Sequence, residues 1–315
     1  MTLDNILEEI KKANNIVLLT HENPDGDAIG SSLGMYNALK NMNKEVDLII
    51  PEPPKTFDFL KGFDEIKQEG MEENYDLAIA LDCADIKRLN GASKYFEDAK
   101  KTISIDHHGS NSMYADINYV DPVAPACCQI LIVILDFLQI DIDKEIGECL
   151  LAGIITDTGG FKYQGTTKET FEFAAWLLSK GVNVSKIYKK VMETRTKANF
   201  ELTKIVTDRM EFLEDGKIAF TYITKQDIED VNAQAGDTEG LVEIGRTVEG
   251  VEVAVFLRES DKGYKISLRS NEYVNVSDVA MIFGGGGHPR AAGGLINLPL
   301  EQVKQKIINE IKINL

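Results

Sequence analysis

Asn15-Ile-Val-Leu-Leu-Thr20 is an apolar run that leads directly into the polar segment His21-Glu-Asn-Pro-Asp-Gly-Asp27. The apolar run has the length and composition of a buried strand. A helical pattern follows from about residue 28 to residue 41, with the small pair Ser31-Ser32 inside it. A strand, a short polar turn and a helix form the unit from which open α/β sheets are built.

The same alternation continues through the first half of the chain. Further apolar runs predict strands, and segments of helical periodicity separate or follow them. The alternation predicts an α/β domain in which a mostly parallel sheet is sandwiched by helices. The further predicted strands are Glu45–Ile50, Tyr75–Leu81 and Thr102–Ile105, and the further predicted helices are Pro125–Leu138, Lys144–Thr156 and Lys168–Lys180.

The pattern changes after residue 200. Residues 210–223 predict a hairpin around Asp215-Gly216. A second hairpin is predicted from Val251–Arg258 and Tyr264–Arg269. Paired strands of this kind favour a smaller C-terminal α+β domain.

A length of 315 residues exceeds one typical hydrophobic core and suits two domains. We expect a first domain over residues 1–183, a connector over 184–200 and a second domain over 201–315. The acid-rich segment 69–73 is predicted to be a solvated turn.

The net charge of −17 argues against a broad grip on a nucleic-acid duplex, which requires a basic surface. We therefore expect no duplex DNA partner. A short anionic substrate, held by metal ions and a few arginines, remains compatible with this charge.

The cysteines and the apolar runs indicate the cellular compartment. The four cysteines form no C-x-x-C pair, and Cys127-Cys128 is predicted to be packing on a buried helix. The longest apolar run, Ile130–Leu135, is too short to cross a bilayer, and no signal peptide is recognised. We expect a cytoplasmic protein with no membrane partner.

All four histidines occur in motifs rather than scattered along the chain. Three of them neighbour aspartates at the predicted ends of strands, and one follows a run of glycines. Imidazole and carboxylate together are the ligands that suit a catalytic divalent transition metal. The candidate metal ligands and their neighbours are His21, Asp25, Asp27, Asp82, Asp106, His107, His108 and Asp157.

Each of these residues has a simpler interpretation when it is taken alone. An aspartate after a strand is often a helix cap, and a histidine near a strand end is often structural. Their combination at strand and helix ends of one sheet favours a metal site, because ligands of open α/β sheets bind at the carboxyl ends of the strands. The pattern predicts a metal-dependent hydrolase.

Four consecutive glycines, Gly284–Gly287, precede His288 in the second half. Such a run costs too much backbone entropy for a packed strand or helix interior, so we expect it where backbone closely approaches a bound group. Backbone amides and arginine side chains suit a phosphate, although a flexible loop with a surface arginine is the alternative. The candidate substrate-binding residues are Arg269, Ser270, Gly285, Gly286, Gly287, His288 and Arg290.

With these motifs the chain resembles the DHH phosphoesterase superfamily, which is named for the element Asp106-His107-His108. The first motif, Thr20–Ser32, is specific, and Gly284–Gly293 is similar to the hallmark of the associated DHHA1 domain. The resemblance covers both halves of the chain. Within the superfamily, the length and layout are most similar to the small bacterial nanoRNase/pAp phosphatases.

The resemblance implies two Mn²⁺ ions, for which Mg²⁺ or Co²⁺ could substitute. One ion would be bound by His21, Asp25 and Asp82. The other would be bound by Asp27, Asp82, His107 and Asp157, with Asp82 bridging the two. Asp106 would orient an imidazole, and His108 would face the substrate phosphate instead of a metal.

The reaction that the resemblance implies is hydrolysis of phosphoester bonds by a hydroxide that two metal ions activate. The implied substrates are short single-stranded RNA, cleaved to mononucleotides, and 3′-phosphoadenosine 5′-phosphate, cleaved to AMP. Since a net charge of −17 repels a long strand, we expect RNA fragments of about two to five nucleotides.

Three alternatives stay open at this point. The linear dinucleotide pApA, from cyclic di-AMP turnover, would be cleaved by the same chemistry. An inorganic pyrophosphatase would share the metal motifs but carry a different C-terminal domain. A non-catalytic nucleotide sensor would be expected to have lost a ligand. The sequence also leaves open whether the protein forms a dimer.

Overall fold

A computed structural model describes residues 2–70 and 74–315 of the chain. Residues 71–73, which form most of the predicted acid-rich turn, lie outside the described residues. The chain divides into two compact units, the first ending at Thr194 and the second beginning at Arg195.

The first unit is built on a six-stranded sheet in which every pair of neighbouring strands is parallel. Its strands are β1 (Asn15–Leu19), β2 (Glu45–Ile49), β3 (Ile66–Lys67), β4 (Leu77–Leu81), β5 (Thr102–Asp106) and β6 (Ile117–Val120). Their order in space is β3-β2-β1-β4-β5-β6. The predicted α/β class is confirmed.

Helices surround this sheet. They are α1 (Thr2–Lys12), α2 (Gly26–Asn41), α3 (Ser93–Glu97), α4 (Cys127–Phe137), α5 (Lys144–Asp157), α6 (Lys168–Ser179) and α7 (Val184–Tyr188). Short 3-10 turns occur at Lys55–Phe57, Phe63–Glu65 and Ile86–Ala92, and a π-helical turn at Lys189–Glu193. Among the described residues, none of the helices combines the length and the apolar character that a bilayer crossing requires.

The side chains of β1 show why its sequence is apolar throughout. Ile16 and Leu18 join the large core that also contains residues of α2, α4 and α5. Val17 and Leu19 join a smaller core on the other face, together with Phe96 of α3. Because both faces of the sheet are covered, an alternating polar pattern is absent from this strand.

The differences from the predicted elements include two short edge strands and the start of one helix. The short strands β3 and β6, at the two edges of the sheet, were not predicted; β3 has two residues and β6 only half-buried ones. Helix α2 begins at Gly26, before the predicted start near residue 28, so that Asp27 lies in its first turn.

Glycines allow α2, α4 and α5 to approach one another closely. A Cβ atom added at Gly30 of α2 would lie 2.6 Å from the carbonyl oxygen of Cys149 in α5. One added at Gly153 of α5 would lie 2.7 Å from Oδ1 of Asp27. The three helices therefore converge directly behind the Asp27 carboxylate.

The second unit contains a six-stranded mixed sheet with helices. Its elements are α8 (Lys197–Asp208), β7 (Glu211–Leu213), β8 (Ile218–Ile223), α9 (Lys225–Asp230), a 3-10 turn (Ala235–Thr238), α10 (Leu241–Arg246), β9 (Val253–Ser260), β10 (Gly263–Ser270), α11 (Val276–Ile282), β11 (Gly286–His288), β12 (Ala291–Ile296) and α12 (Leu300–Lys312). The strand order is β11-β12-β10-β9-β8-β7, and only β8 and β9 pair in parallel. Both predicted hairpins are present, as β7–β8 and β9–β10.

Part of the glycine run belongs to a short edge strand. Gly286 and Gly287 belong to the edge strand β11 and pair with Gly293 and Ala292 of β12. The run was expected to lie outside packed strand interiors, and this half-buried to exposed edge strand of three residues is not such an interior. A Cβ at Gly287 would lie 2.5 Å from the carbonyl oxygen of Ala291, so the pairing is close enough to require glycine there.

Replacement of Gly30 tests the importance of the close helix crossing. Gly30→Ala is expected to lower the free energy of unfolding by about 1–3 kcal/mol, because its Cβ would push against backbone atoms of α5. The measurement is urea unfolding followed by circular dichroism. Gly91→Ala is the matched control, since its Cβ would meet nothing within 4 Å. Equal stability of the two variants would contradict the tight crossing.

Candidate functional site

Three neighbouring strands of the first unit end at the same edge of the sheet. β1 pairs with β4, and β4 pairs with β5, all in parallel. Their carboxyl ends therefore carry His21, Asp82 and Asp106 to adjacent positions. Helix α2 begins beside this edge with Asp25 and Asp27, and helix α5 ends there with Asp157.

Asp82 lies at the centre of this group. Its Oδ1 is 3.4 Å from Nε2 of His107, and its Oδ2 is 3.7 Å from Nε2 of His21. The backbone of Asp82 is in the left-handed region, with φ 53°, while its amide still donates to the carbonyl of Ile105 at 2.9 Å. The buried carboxylate thus faces two imidazoles with its two oxygens.

The ligating atoms form two clusters on either side of Asp82. Those of His21, Asp25 and Asp82 all lie within 4.8 Å of one another, and so do those of Asp27, His107 and Asp157. The first cluster contains the three residues that the resemblance implied for one ion, and the second contains three of the four implied for the other, without Asp82. A third, overlapping group contains Asp82, His107 and His108. His108, which the resemblance assigns to the substrate phosphate, therefore also lies within 4.8 Å of two candidate metal ligands.

Backbone carbonyls orient both imidazoles. Nδ1 of His107 is 3.2 Å from the carbonyl oxygen of Ala124, and Nδ1 of His21 is 2.8 Å from that of Glu22. A carbonyl only accepts, so Nδ1 of each ring carries a proton, and Nε2 is the ring atom that faces the carboxylates. Nε2 of His107 is also 3.3 Å from Oδ2 of Asp157.

The amino end of helix α4 holds the Asp27 carboxylate. The amides of Cys127 and Cys128 donate to Oδ2 and Oδ1 of Asp27 at 2.5 Å and 2.9 Å. The residue that precedes the helix, Ala126, has no side chain that could cap it, and Asp27 serves instead. The cysteine pair is buried as predicted. The prediction did not include the contact of its backbone amides with Asp27.

Asp25 has two roles in the structure. Its Oδ1 accepts hydrogen bonds from the amides of Asp27 and Ala28 at 3.1 Å and 3.0 Å, and it is therefore the N-cap of α2. The simple interpretation of an aspartate as a helix cap is correct here. The same exposed carboxylate also belongs to the cluster with His21 and Asp82.

Asp106 orients His108. Its Oδ1 lies 2.8 Å from Nδ1 of His108 and accepts from the amide of His107 at 2.8 Å. Its Oδ2 accepts from Nδ2 of Asn111 at 2.7 Å. Asn111 was not predicted. A polar side chain three residues after His108 in the following turn was the available signal.

The titration of the site reflects crowded negative charge. Burial and repulsion from Asp82 raise the pKa of Asp27 to about 7, although the charge of His107 opposes this. Burial and the charges of Asp27 and Asp25 raise the pKa of Asp157 well above its usual range. Burial disfavours protonation of His107, but the carboxylates of Asp82, Asp27 and Asp157 raise its pKa to about 11. The buried carboxylates of the site therefore outnumber the nearby groups that can carry a positive charge.

A divalent cation fits these residues. Oδ1 of the buried Asp82 makes no hydrogen bond to any residue that the structure describes, as expected of an atom arranged for a metal. Burial raises the pKa of the nearby thiols Cys127 and Cys128 well above normal, so neither offers a thiolate. Carboxylate-rich ligation with few imidazoles and no sulfur suits a hard or borderline divalent ion.

In the second unit, Arg269 is engaged in an ion pair. Its Nε donates to Oε1 of Glu243 at 2.9 Å, and Nε of Arg246 donates to Oε2 of the same carboxylate at 2.5 Å. All three side chains are partly exposed. Sequence reasoning missed Glu243 and Arg246, because their pairing with β10 depends on how α10 packs.

Ser270 and Arg290 contribute to the structure of a loop. Ser270 is buried, and its amide donates to the carbonyl of Arg290 at 3.1 Å. The Arg290 guanidinium donates to the carbonyls of Glu272 and Val274. The buried Glu252 accepts hydrogen bonds from the amides of residues 272–274 on the same loop. The predicted substrate contacts of Ser270 and Arg290 stay predictions.

The glycine segment leads to an exposed histidine. Gly285 precedes β11, and His288 is the last residue of that strand. Gly286 is half-buried, and Gly287 and His288 are exposed. The structure therefore places the predicted residues Gly285, Gly286, Gly287 and His288 on one edge of the second sheet.

Family models match both units of the chain. The model of the DHH family, N-terminal domain, matches residues 15–154, and the model of the DHHA1 domain matches residues 215–313. A bifunctional oligoribonuclease and PAP phosphatase NrnA from Thermus thermophilus is 34% identical over 312 residues, covering 98% of this chain and 93% of the relative. The chain belongs to the DHH family.

Membership confirms the resemblance and makes the protein a phosphoesterase, an enzyme of the hydrolase class. A crystal structure of an exopolyphosphatase-related protein from Bacteroides fragilis has the same fold, with a TM-score of 0.90, 30% identity and coverage of 98% of this chain and 96% of that one. The cyclic-di-AMP phosphodiesterase PdeA from Listeria monocytogenes is 25% identical over 330 residues, covering 96% of this chain and 48% of the relative.

Replacement of Asp82 tests its central place in the DHH site. Asp82→Asn keeps the size of the side chain but removes the charge at the centre of the candidate ligands, so we expect the loss of bound divalent ion. Metal content after equilibrium dialysis against Mn²⁺ is the measurement. His108→Ala is expected to retain its metal, and Asp98→Asn, at an exposed position, is the control. Full metal content in Asp82→Asn would contradict a metal-binding role of Asp82.

Proposed function

We propose that the protein is a Mn²⁺-dependent phosphoesterase that hydrolyses short oligoribonucleotides to mononucleotides and 3′-phosphoadenosine 5′-phosphate to AMP. The observation that carries the proposal is the position of Asp82 between two clusters of ligating atoms. One residue placed in this way allows two cations to lie side by side, as two-metal phosphoester hydrolysis requires.

Six residues would hold the ions. His21, Asp25 and Asp82 would bind one, and Asp27, Asp82, His107 and Asp157 the other. Two bound ions would lower the pKa of a shared water and neutralise charge on the phosphoryl oxygens. The high share of carboxylates over imidazoles favours Mn²⁺ over Zn²⁺.

His108 is proposed to contact the substrate phosphate. Since Nδ1 is engaged by Asp106, the contact would be made through Nε2. Asn111 and the amide of His107 fix the Asp106 carboxylate, and Asp106 in turn fixes the plane of the ring. A ring whose plane is already fixed loses little further freedom when Nε2 contacts a phosphoryl oxygen.

Arg269 and Arg246 are proposed to recognise a further phosphate of the substrate. Their two positive charges share the single carboxylate of Glu243, so the group carries net positive charge. Guanidinium groups bind phosphate in a bidentate manner. In a chain with a net charge of −17, such a local positive group selects small anionic substrates over long strands.

The relatives support this choice of substrates. The Thermus thermophilus relative, named as an oligoribonuclease and PAP phosphatase, matches this chain over nearly its whole length. Hydrolysis of linear pApA is the second candidate, because the cyclic-di-AMP phosphodiesterase relative matches almost the whole of this chain. Both candidates use the same metal-dependent chemistry.

A matched substrate panel tests the proposed activity. With Mn²⁺, we expect mononucleotides from a five-nucleotide RNA, AMP from 3′-phosphoadenosine 5′-phosphate, and no hydrolysis of pyrophosphate. Chromatographic product analysis is the measurement, and chelation with EDTA is the control, which should abolish all turnover. A kcat/KM for pApA far above the others would favour the second candidate. Turnover of pyrophosphate alone, or of nothing, would overturn the proposal.

Replacement of Arg269 separates binding from turnover. Arg269→Gln is expected to raise KM for 3′-phosphoadenosine 5′-phosphate by about tenfold or more, with a smaller effect on kcat, because a charge-assisted contact in the ground state is lost. Steady-state kinetics provide the measurement. Lys262→Gln, in an exposed turn, is the control. An unchanged KM would exclude a contact between Arg269 and the phosphate.

A further inference from the structure

The 3-10 turn Ile86–Ala92 lies beside the His21 segment. The amide of Glu22 donates to the carbonyl oxygen of Arg88 at 2.7 Å. Nδ2 of Asn90 donates to the Glu22 carboxylate at 3.1 Å. Two hydrogen bonds thus join the turn that carries Arg88 to the residue that follows His21.

The turn holds Arg88 in a defined place. Asp85 caps its start by accepting from the amide of Lys87 at 2.9 Å. Leu89, the next residue after Arg88, is buried in the smaller core of the first unit. Asn90 leaves the helical conformation with φ 47° and ψ −127°, which ends the first part of the turn. Arg88 is therefore fixed between a capped end and a buried anchor.

The Arg88 guanidinium has no acceptor among the residues that the structure describes. The side chain is half-buried, and within residues 2–70 and 74–315 it makes neither a hydrogen bond nor an ion pair. Arg209, by contrast, pairs with Asp227, and Arg246 and Arg269 pair with Glu243. A partly desolvated cation without an acceptor is unfavourable until an anion binds to it.

The charge of Arg88 acts on the cluster that contains His21. Arg88 is near enough to His21 for its charge to act on that residue. It is also near enough to act on Cys83, which follows Asp82 in the chain. The guanidinium therefore lies within electrostatic reach of this end of the site.

We propose that Arg88 binds the phosphoryl group of the substrate at the cluster of His21, Asp25 and Asp82. This inference rests on the proposed phosphoester hydrolysis and adds a substrate-binding residue to it. The guanidinium fork offers two donors to the non-bridging oxygens of a phosphate. Since every phosphoester substrate presents such oxygens at the reacting phosphorus, Arg88 acts on all of them alike.

Phosphate binding is the direct test. Wild-type protein and Arg88→Gln are both loaded with Mn²⁺ and compared for binding of inorganic phosphate by isothermal titration calorimetry. The variant is expected to bind phosphate about tenfold to a hundredfold more weakly, with unchanged Mn²⁺ content. Lys87→Gln, an exposed neighbour on the same turn, is expected to behave like the wild type. Equal phosphate affinity in Arg88→Gln, or no phosphate binding by the wild type, would overturn the inference.

Kinetics provide a second and independent readout. Arg88→Gln is expected to lower kcat/KM about tenfold to a hundredfold, by the same factor for the RNA and for 3′-phosphoadenosine 5′-phosphate. Added guanidinium ion should restore part of the activity of Arg88→Ala, which a merely structural role of Arg88 would not allow. Failure of the wild type to hydrolyse any phosphoester would overturn the proposed function, and the phosphate-binding comparison would still decide the role of Arg88.

Discussion

Repulsion between buried carboxylates is the constraint on which the site depends. Asp27 and Asp82 are buried, Asp157 lies beside them, and His107 is the nearest group that can carry a positive charge. Uncompensated ions in a protein interior cost several kcal/mol each. The fold keeps them together because the parallel strands end at one edge, and because glycines let α2 and α5 cross closely behind Asp27.

The fold supplies part of the missing positive charge without a side chain. The amino end of α4 donates two amides to Asp27, and its helix dipole adds a partial positive charge there. Backbone carbonyls hold Nδ1 of His21 and of His107, so that Nε2 of each ring faces the carboxylates and is the atom available to a metal. The site is thus arranged by backbone groups as much as by its own side chains. This arrangement is suited to a cation that enters after folding.

The sequence predicted the parts of the structure that depend on pattern. The apolar runs identified the parallel strands β1, β2, β4 and β5, because burial on both faces leaves a continuous signal. The aspartates and histidines of the candidate site were identified by their positions after strands, and the structure brings them together. The glycine run was identified as unusual, but its pairing with β12 depends on a neighbouring strand that local pattern does not reveal.

The missed features depend on contacts between distant segments or on backbone atoms. Nothing in the Cys127-Cys128 pair indicates that its amides bind a carboxylate 100 residues earlier. The ion pair of Arg269 with Glu243 requires the packing of α10 against β10. Asn111 is near the motif in sequence, but only its 2.7 Å contact with Asp106 distinguishes it from an ordinary turn residue.

The double role of Asp25 limits which residues this position tolerates. One carboxylate oxygen caps α2, and the same side chain belongs to the cluster beside Asp82. Asparagine or serine would preserve the cap without the charge, and glutamate would preserve the charge with a side chain too long for the cap. Folding and chemistry therefore restrict the same position independently. None of these three replacements preserves both the helix cap and the negative charge of Asp25.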